Sequence, residues 1–291
     1  MTLRLGRIKR ITEEEIVEDS MLRAIKFTLK ALGLHKIAWR FVIFLVSIKP
    51  QVTCKRGGIR YSLDLRELID LYTYIGGWEP ETIRFLNENL KKNGVVIEVG
   101  ANIGAHTLII SRNVGPNGSV YAFEPTSYAR NKLLTNIRLN PDLASNIVVR
   151  EEFVTNILQE PQLLEINSSW RIDKNSREPE KITPKSITID ELCKSANLNN
   201  VSLIKIDVDG YDYKVLSGAL GTIKRFKPIV FIELCEYALQ AKGDSILKIF
   251  SDLAQLGYAG FYEDGTKIDC VSDAIRTVGM NTSINAIFRP N

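Results

Sequence analysis

Residues 95–110 read Val-Val-Ile-Glu-Val-Gly-Ala-Asn-Ile-Gly-Ala-His-Thr-Leu-Ile-Ile, and residues 115–125 read Gly-Pro-Asn-Gly-Ser-Val-Tyr-Ala-Phe-Glu-Pro. The first four apolar positions, Val95, Val96, Ile97 and Val99, form a short β-branched run suited to a strand buried on both faces. Gly100 and Gly104 flank a turn where a side chain would obstruct a ligand's approach to the backbone. A helix is expected to start near Gly104, its free N–H groups aimed at that ligand. A second strand over Val120 to Phe123 ends in Glu124 at the sheet's rim. Backbone donors at one strand end and a ribose-binding acid at the next make a nucleotide-type site.

The identity of the nucleotide turns on Glu98 and Asn102. A dinucleotide turn wants three glycines and no acid, because an acid there repels a pyrophosphate. Here Glu98 precedes the first glycine and Asn102 stands between two glycines four residues apart. An acid at the turn pairs with an ammonium, and S-adenosylmethionine has an ammonium, a carboxylate and a ribose but no phosphate. The stretch fits that cofactor better than NAD.

Working outward, alternating strand and helix patterns imply a parallel sheet with helices on both faces. Ligands of such sheets sit outside the carboxyl ends of the strands. That rule gathers Glu98, Glu124, Asp207 and Glu233, the last two closing the apolar runs 201–206 and 229–232. Further strands are expected at 51–54, 59–63, 147–149, 163–166, 186–189, 258–262 and 285–288. Helices are expected at 64–75, 79–92, 128–139, 190–195, 213–224 and 246–256. Residues 156–185 are rich in Asn, Ser, Pro and charge, and a lid is expected over 167–179. Trp170 in it either covers a ligand or docks on the core.

The chain has 291 residues, 45% hydrophobic and 25% charged, an ordinary globular composition. A net charge of +4 calls for no nucleic-acid partner. Residues 1–60 carry a local +8, with 13 Lys and Arg against 5 Asp and Glu. Two helices are expected there, over 20–33 and 35–48, as a helical extension to a main domain at 61–291. A solvated face is the plain reading of that charge; peripheral contact with a membrane is the alternative. No apolar stretch spans a bilayer and no cleavable leader is expected, so a cytoplasmic location follows. The four cysteines form no C-x-x-C pair, and reduced, mostly buried thiols are expected.

Three blocks, Glu98–Gly104, Gly115–Pro125 and Leu203-Ile-Lys-Ile-Asp-Val-Asp-Gly210 with Val215-Leu216 and Gly218-Ala219, resemble the FkbM-type methyltransferases. The resemblance covers residues 70–240. It implies a Rossmann-like class I fold with a seven-stranded, mostly parallel sheet whose last strand is antiparallel. It also implies transfer of a methyl group to a hydroxyl oxygen of a sugar, glycan or secondary metabolite. Asp209 and Asp212 stand where the family commonly has Glu.

Roles follow. Gly100, Ala101, Asn102 and Gly104 would surround the methionine part of the cofactor, with Glu98 on its ammonium, Glu124 on the ribose and Asn156 on the adenine. Asp207, His106 and Glu233 are the catalytic candidates on the acceptor side, since transfer from a sulfonium needs alignment and removal of the acceptor's proton. Mg²⁺ between Asp207 and Asp209 is less favoured than no metal. An NAD-dependent oxidoreductase and a non-catalytic binding domain are the competing readings.

Overall fold

A computed structural model describes residues 48–76, 78–158, 162–172, 177–279 and 282–291. Apart from Ile48, the two expected N-terminal helices lie outside these residues. The chain divides into two compact units, with the first boundary between Trp78 and Glu79. The boundary expected at residue 60 falls inside a strand, because the hairpin β1 (Gln51–Arg56) and β2 (Ile59–Asp64) pairs across it through Gly57-Gly58.

The first unit holds this hairpin, α1 (Leu68–Tyr74) and residues 170–172. Buried Asp70 ties α1 to the hairpin, accepting from the Asp64 N–H at 2.6 Å. Asp64 in turn pairs with Arg66, so residues 64–67 turn and the helix starts later than expected. The Leu68 N–H donates to the Trp170 carbonyl and the Ile172 N–H to the Arg66 carbonyl, both at 2.8 Å. Half-buried Trp170 thus sits in a segment paired to residues 66–68.

The second unit runs α2 (Pro80–Asn89), β3 (Val95–Val99), α3 (Thr107–Val114), β4 (Ser119–Phe123), α4 (Ser127–Arg138), α5 (Pro141–Ala144) and β5 (Ile147–Arg150). It continues with β6 (Phe153–Val154), β7 (Leu164–Ile166), β8 (Glu180–Ile182), β9 (Ser186–Ile187), α6 (Ile189–Ser195) and β10 (Leu203–Ile206). Then come α7 (Asp212–Ser217), α8 (Leu220–Phe226), β11 (Ile229–Leu234), α9 (Glu236–Ala241), α10 (Ile246–Gln255), β12 (Tyr258–Tyr262), α11 (Val271–Val278) and β13 (Ile284–Pro290). The main sheet has seven strands in the order β12-β13-β11-β10-β3-β4-β5, parallel except for β13, which is antiparallel to both neighbours. One face of its central strands is apolar, with Ile97, Ile204, Ile206, Val230 and Ile232 buried against helix residues such as Leu216, Ile223 and Leu253, and the other carries buried Glu98 and Lys205 among apolar residues.

Four local expectations need correction. The strands at 163–166 and 186–189 lie outside the main sheet, in small pairs β7-β8 and β6-β9. The helix expected over 213–224 is two, because the Asp190 carboxylate accepts from the Gly221 and Thr222 N–H groups and caps a fresh start at α8. Helices α9 and α11 fall where none is expected. Of the thiols, Cys193 and Cys235 are buried, Cys54 is half-buried and Cys270 is exposed.

Candidate active site at the strand ends

The sheet register builds the site. Val99 is level with Phe123 on one side and Ile206 on the other, and Ile206 is level with Ile232. The next residue of each strand therefore lies on one rim: Gly100, Glu124, Asp207 and Glu233. One row below, Glu98 is level with Lys205.

At the β3 end the chain turns through Gly100 (φ +91°), Asn102 (φ +46°) and Gly104 (φ +84°) before α3 begins. An Asn tolerates the left-handed region better than most residues, which accounts for Asn102 between the two glycines. Glu98 is buried and accepts from the Thr107 hydroxyl at 2.6 Å. Burial pushes its carboxyl up to about 7, against the pull of the Lys205 ammonium and that hydrogen bond. The Glu124 carboxylate accepts from the Asn102 N–H at 3.0 Å on one oxygen and from the Thr126 N–H and hydroxyl on the other. A carboxylate has about four acceptor positions, so one stays open toward a ribose hydroxyl. Burial raises its pKa while those bonds and Arg130 oppose the rise. Two buried carboxyls beside a turn to which no guanidinium or ammonium is bonded among the described residues suit S-adenosylmethionine better than a pyrophosphate. Asn156 is exposed just after β6 and accepts from Thr155 at 3.3 Å.

The other side of the rim is crowded with acid. Lys205 is 1% exposed, and its ammonium meets the Asp207 carboxylate at 2.9 Å. Burial would raise Asp207, but that charge and its hydrogen bond win, and the carboxyl sits below its ordinary value. Buried Asp212 accepts from the Val208 and Gly210 N–H groups and is pushed up to about 7 by burial and by Asp207. Burial and the same charge lift Asp209 to about 6 and Glu233 to about 8. His106 stands just before α3, 6% exposed, with no hydrogen-bond partner for its Nε2 among the described residues and burial holding it neutral, down to about 3.

Sequence reasoning passed over Glu79. Its Oε2 lies 3.7 Å from His106 Nε2, and burial with the nearby Asp207 charge lifts it to about 7. It precedes Pro80, a place that favours extended backbone, yet its φ is +40°. A bulky side chain held in the left-handed region costs about 1–2 kcal/mol, and such strain marks functional positions more often than others. The Glu-Pro pair was the available signal, but it also reads as an ordinary helix start. Among the described residues no three His, Cys, Asp or Glu side chains gather in an arrangement that would hold a metal ion.

These acids set the pH response of stability. Glu79, Glu98, Asp212 and Glu233 titrate higher in the folded chain, at about 7 to 8, than their ordinary 4.5 or 3.8. The folded state holds extra protons, so their contribution is full below pH 4 and is lost as pH rises through 7 to 8. Asp207 acts oppositely below its ordinary 3.8 and His106 below its ordinary 6.5, where the four acids together outweigh it. The urea midpoint of the full chain is therefore expected to fall between pH 5 and pH 8; a midpoint that rises over that span contradicts this electrostatic picture.

Known proteins resemble this chain in sequence and in fold. The chain is 28% identical over 151 residues to hexuronic acid methyltransferase AglP of Haloferax volcanii, covering 50% of this chain and 58% of that protein. The match thus spans less than two thirds of that relative. Among solved structures, the methyltransferase FkbM of Methylobacillus flagellatus superposes with a TM-score of 0.44 at 14% identity, covering 68% of this chain and 44% of that one. An S-adenosylmethionine-dependent O-methyltransferase of Thermotoga maritima gives 0.42 at 13%, covering 83% and 78%. Those scores are too low to add to the argument. The methyltransferase FkbM domain model matches residues 98–259. It begins on the acid of the first turn and runs through every rim position named above but Glu79, over more than half the chain. This chain belongs to the FkbM family of S-adenosylmethionine-dependent methyltransferases.

Proposed function

We propose that the chain transfers the methyl group of S-adenosylmethionine to a hydroxyl oxygen of a neutral sugar or glycan. The observation that carries this reading is the rim beside the cofactor turn, where Asp207 is held ionised by buried Lys205 next to His106 and Glu79. An ionised Asp207 accepts the acceptor's O–H or a neighbouring hydroxyl and fixes its angle. Glu79, titrating near neutrality, takes the proton, and neutral His106 donates or accepts beside it. Glu233 borders the acceptor from β11. Glu98 holds the methionine ammonium, the 100–104 turn its backbone, Glu124 the ribose and Asn156 the adenine amine.

AglP is named for a hexuronic acid, and a sugar acceptor for this chain draws on that likeness. Buried Lys205 is already paired with ionised Asp207, so an anionic sugar would set a second negative charge beside that carboxylate, and a neutral sugar fits better. The basic segment 1–60 touching an anionic membrane is a separate proposal, open to vesicle co-sedimentation with the full chain. Among the described residues no helix is long and apolar enough to cross a membrane.

Calorimetry is the first test. S-adenosylmethionine and S-adenosylhomocysteine are expected to bind, and NAD is not; binding of NAD alone would sink the reading. Glu124→Ala removes a charged acceptor worth about 1.5–3 kcal/mol per bond and is expected to weaken cofactor binding roughly tenfold to a hundredfold. Asp207→Asn is expected to leave binding within about twofold and lower transfer by about 10²-fold or more, the scale of a lost acid–base group. A panel of neutral hexosides and hexuronic acids with methyl-labelled cofactor then reads the acceptor class, with label expected on the former.

A further inference from the structure

Thr82, fully buried in the first turn of α2, joins two carboxyl groups. Its hydroxyl oxygen is 3.1 Å from Glu79 Oε2 and 2.7 Å from Glu263 Oε1. The Asn285 amide donates to the same hydroxyl at 3.2 Å and to Glu263 at 3.4 Å. A hydroxyl has one proton to give and two lone pairs to receive with. Asn285 uses one lone pair, and one carboxylate takes the proton. For the second carboxyl contact to be a hydrogen bond, that carboxyl must itself carry a proton and donate it. The three groups therefore hold one extra proton that can sit at either end.

The two ends open onto different places. At one end, Glu79 faces His106, whose buried Nε2 has no hydrogen-bond partner among the described residues, and it feels the charges of Asp207 and Lys205 from β10. At the other, Glu263 lines a cavity of about 500 Å³ beside Arg84, Glu88, Asp264 and Arg289. Glu81 and Arg84 of α2 act on it electrostatically, and burial raises its carboxyl pKa.

We propose that Glu79, Thr82 and Glu263 form a proton exit leading from the acceptor to the cavity beside α2. The proposal rests on the hydroxyl-methylation reading, because a hydroxyl acceptor must lose a proton. The acceptor oxygen bonds the methyl carbon as the carbon–sulfur bond breaks and the sulfonium becomes a neutral thioether. The O–H proton goes to Glu79. Glu263 releases its proton to water in the cavity, the Thr82 proton moves to Glu263, and the Glu79 proton moves to Thr82. One proton has left and the pair is back where it began. Thr82 and Glu263 are positioning residues in this scheme, acting through Glu79.

Two measurements on the full chain test it. The first needs no acceptor: with ¹³C-labelled glutamate side chains, the Glu79 and Glu263 carboxyl resonances are each expected to show two titration steps, as coupled groups do. In Thr82→Val, which keeps the shape and removes the hydroxyl, the separation between the steps is expected to shrink to what through-space repulsion among Glu79, Glu263 and Asp207 leaves; in Thr82→Ser it returns. The second uses methyl transfer to the hexosides of the panel above. Thr82→Val and Glu263→Gln are expected to lower kcat about tenfold or more with cofactor affinity unchanged and a displaced pH profile, and Thr82→Ser to restore both. A step separation unchanged in Thr82→Val, or a Thr82→Ser no better than Thr82→Val, overturns the exit and leaves the methyl-transfer reading intact. Label found only on carboxylates, which have no proton to lose, overturns the hydroxyl reading and the exit with it.

Discussion

Lys205→Met is expected to cost about 3–5 kcal/mol of folding stability at pH 7.5, the range for removing one member of a buried ion pair. The methionine fills nearly the same space, so the loss is electrostatic. Lys205 is 1% exposed, in contact with Asp207, and its charge acts on Glu98 and Glu79 as well. Without it, Asp207, Glu98 and Glu79 lose their common counter-charge. They can escape by taking up protons, which gives the prediction a second edge. The cost is expected to shrink at pH 5.5, where protonated carboxyls need no partner. Urea unfolding at the two pH values measures both, and the double variant Lys205→Met/Asp207→Asn is expected to recover part of the loss. A cost below about 1 kcal/mol, the scale of an exposed pair, or one that does not change with pH, would mean that the pairing matters little.

Gly100→Ala is the second large effect. An added Cβ would lie 1.9 Å from the Asp207 carbonyl oxygen, a distance no rearrangement of a side chain can relieve because both atoms belong to strand ends. Its φ of +91° adds strain for any residue with a Cβ. Strain and overpacking together are expected to cost about 2–5 kcal/mol, and the displaced turn to weaken S-adenosylmethionine at least about tenfold. Gly115→Ala provides the control. There φ is +78°, but the nearest atom is the flexible end of Lys92 at 3.8 Å. Only the strain of a conformation that glycine alone takes readily (φ +78°, ψ 177°) remains, about 1–3 kcal/mol, and cofactor affinity is expected to hold. Thermal unfolding and calorimetry on the two variants separate the clash from the strain.

Much of the site is visible in the chain because two rules act together. Apolar runs locate β3, β4, β10 and β11, and parallel connectivity sends their C-terminal ends to one rim. Glu98, Glu124, Asp207 and Glu233 could thus be grouped without coordinates. The register that sets Glu98 level with Lys205 could not, since it depends on how strands far apart in sequence slide against each other. Glu79 escaped for a different reason. It belongs to no strand, and its role comes from a backbone conformation that a residue before proline seldom takes. Helices α9 and α11 were missed because their apolar stripes are brief. In α9 Leu239 alone is buried, and in α11 Ala274 and Val278 are. The cap that divides α7 from α8 is supplied by Asp190, some thirty residues upstream, beyond the reach of any local pattern.

The order of the sheet also bears on how the chain is made. Strand β12 has a single neighbour in the sheet, β13, and β13 is synthesised after it. Until β13 emerges and slots between β11 and β12, the nascent protein has an open flank on β11 and a detached aromatic strand, Tyr-Ala-Gly-Phe-Tyr. Exposed strand edges of this kind recruit other chains. Insertion of β13 thus pairs one edge of β11 and one of β12 in a single step.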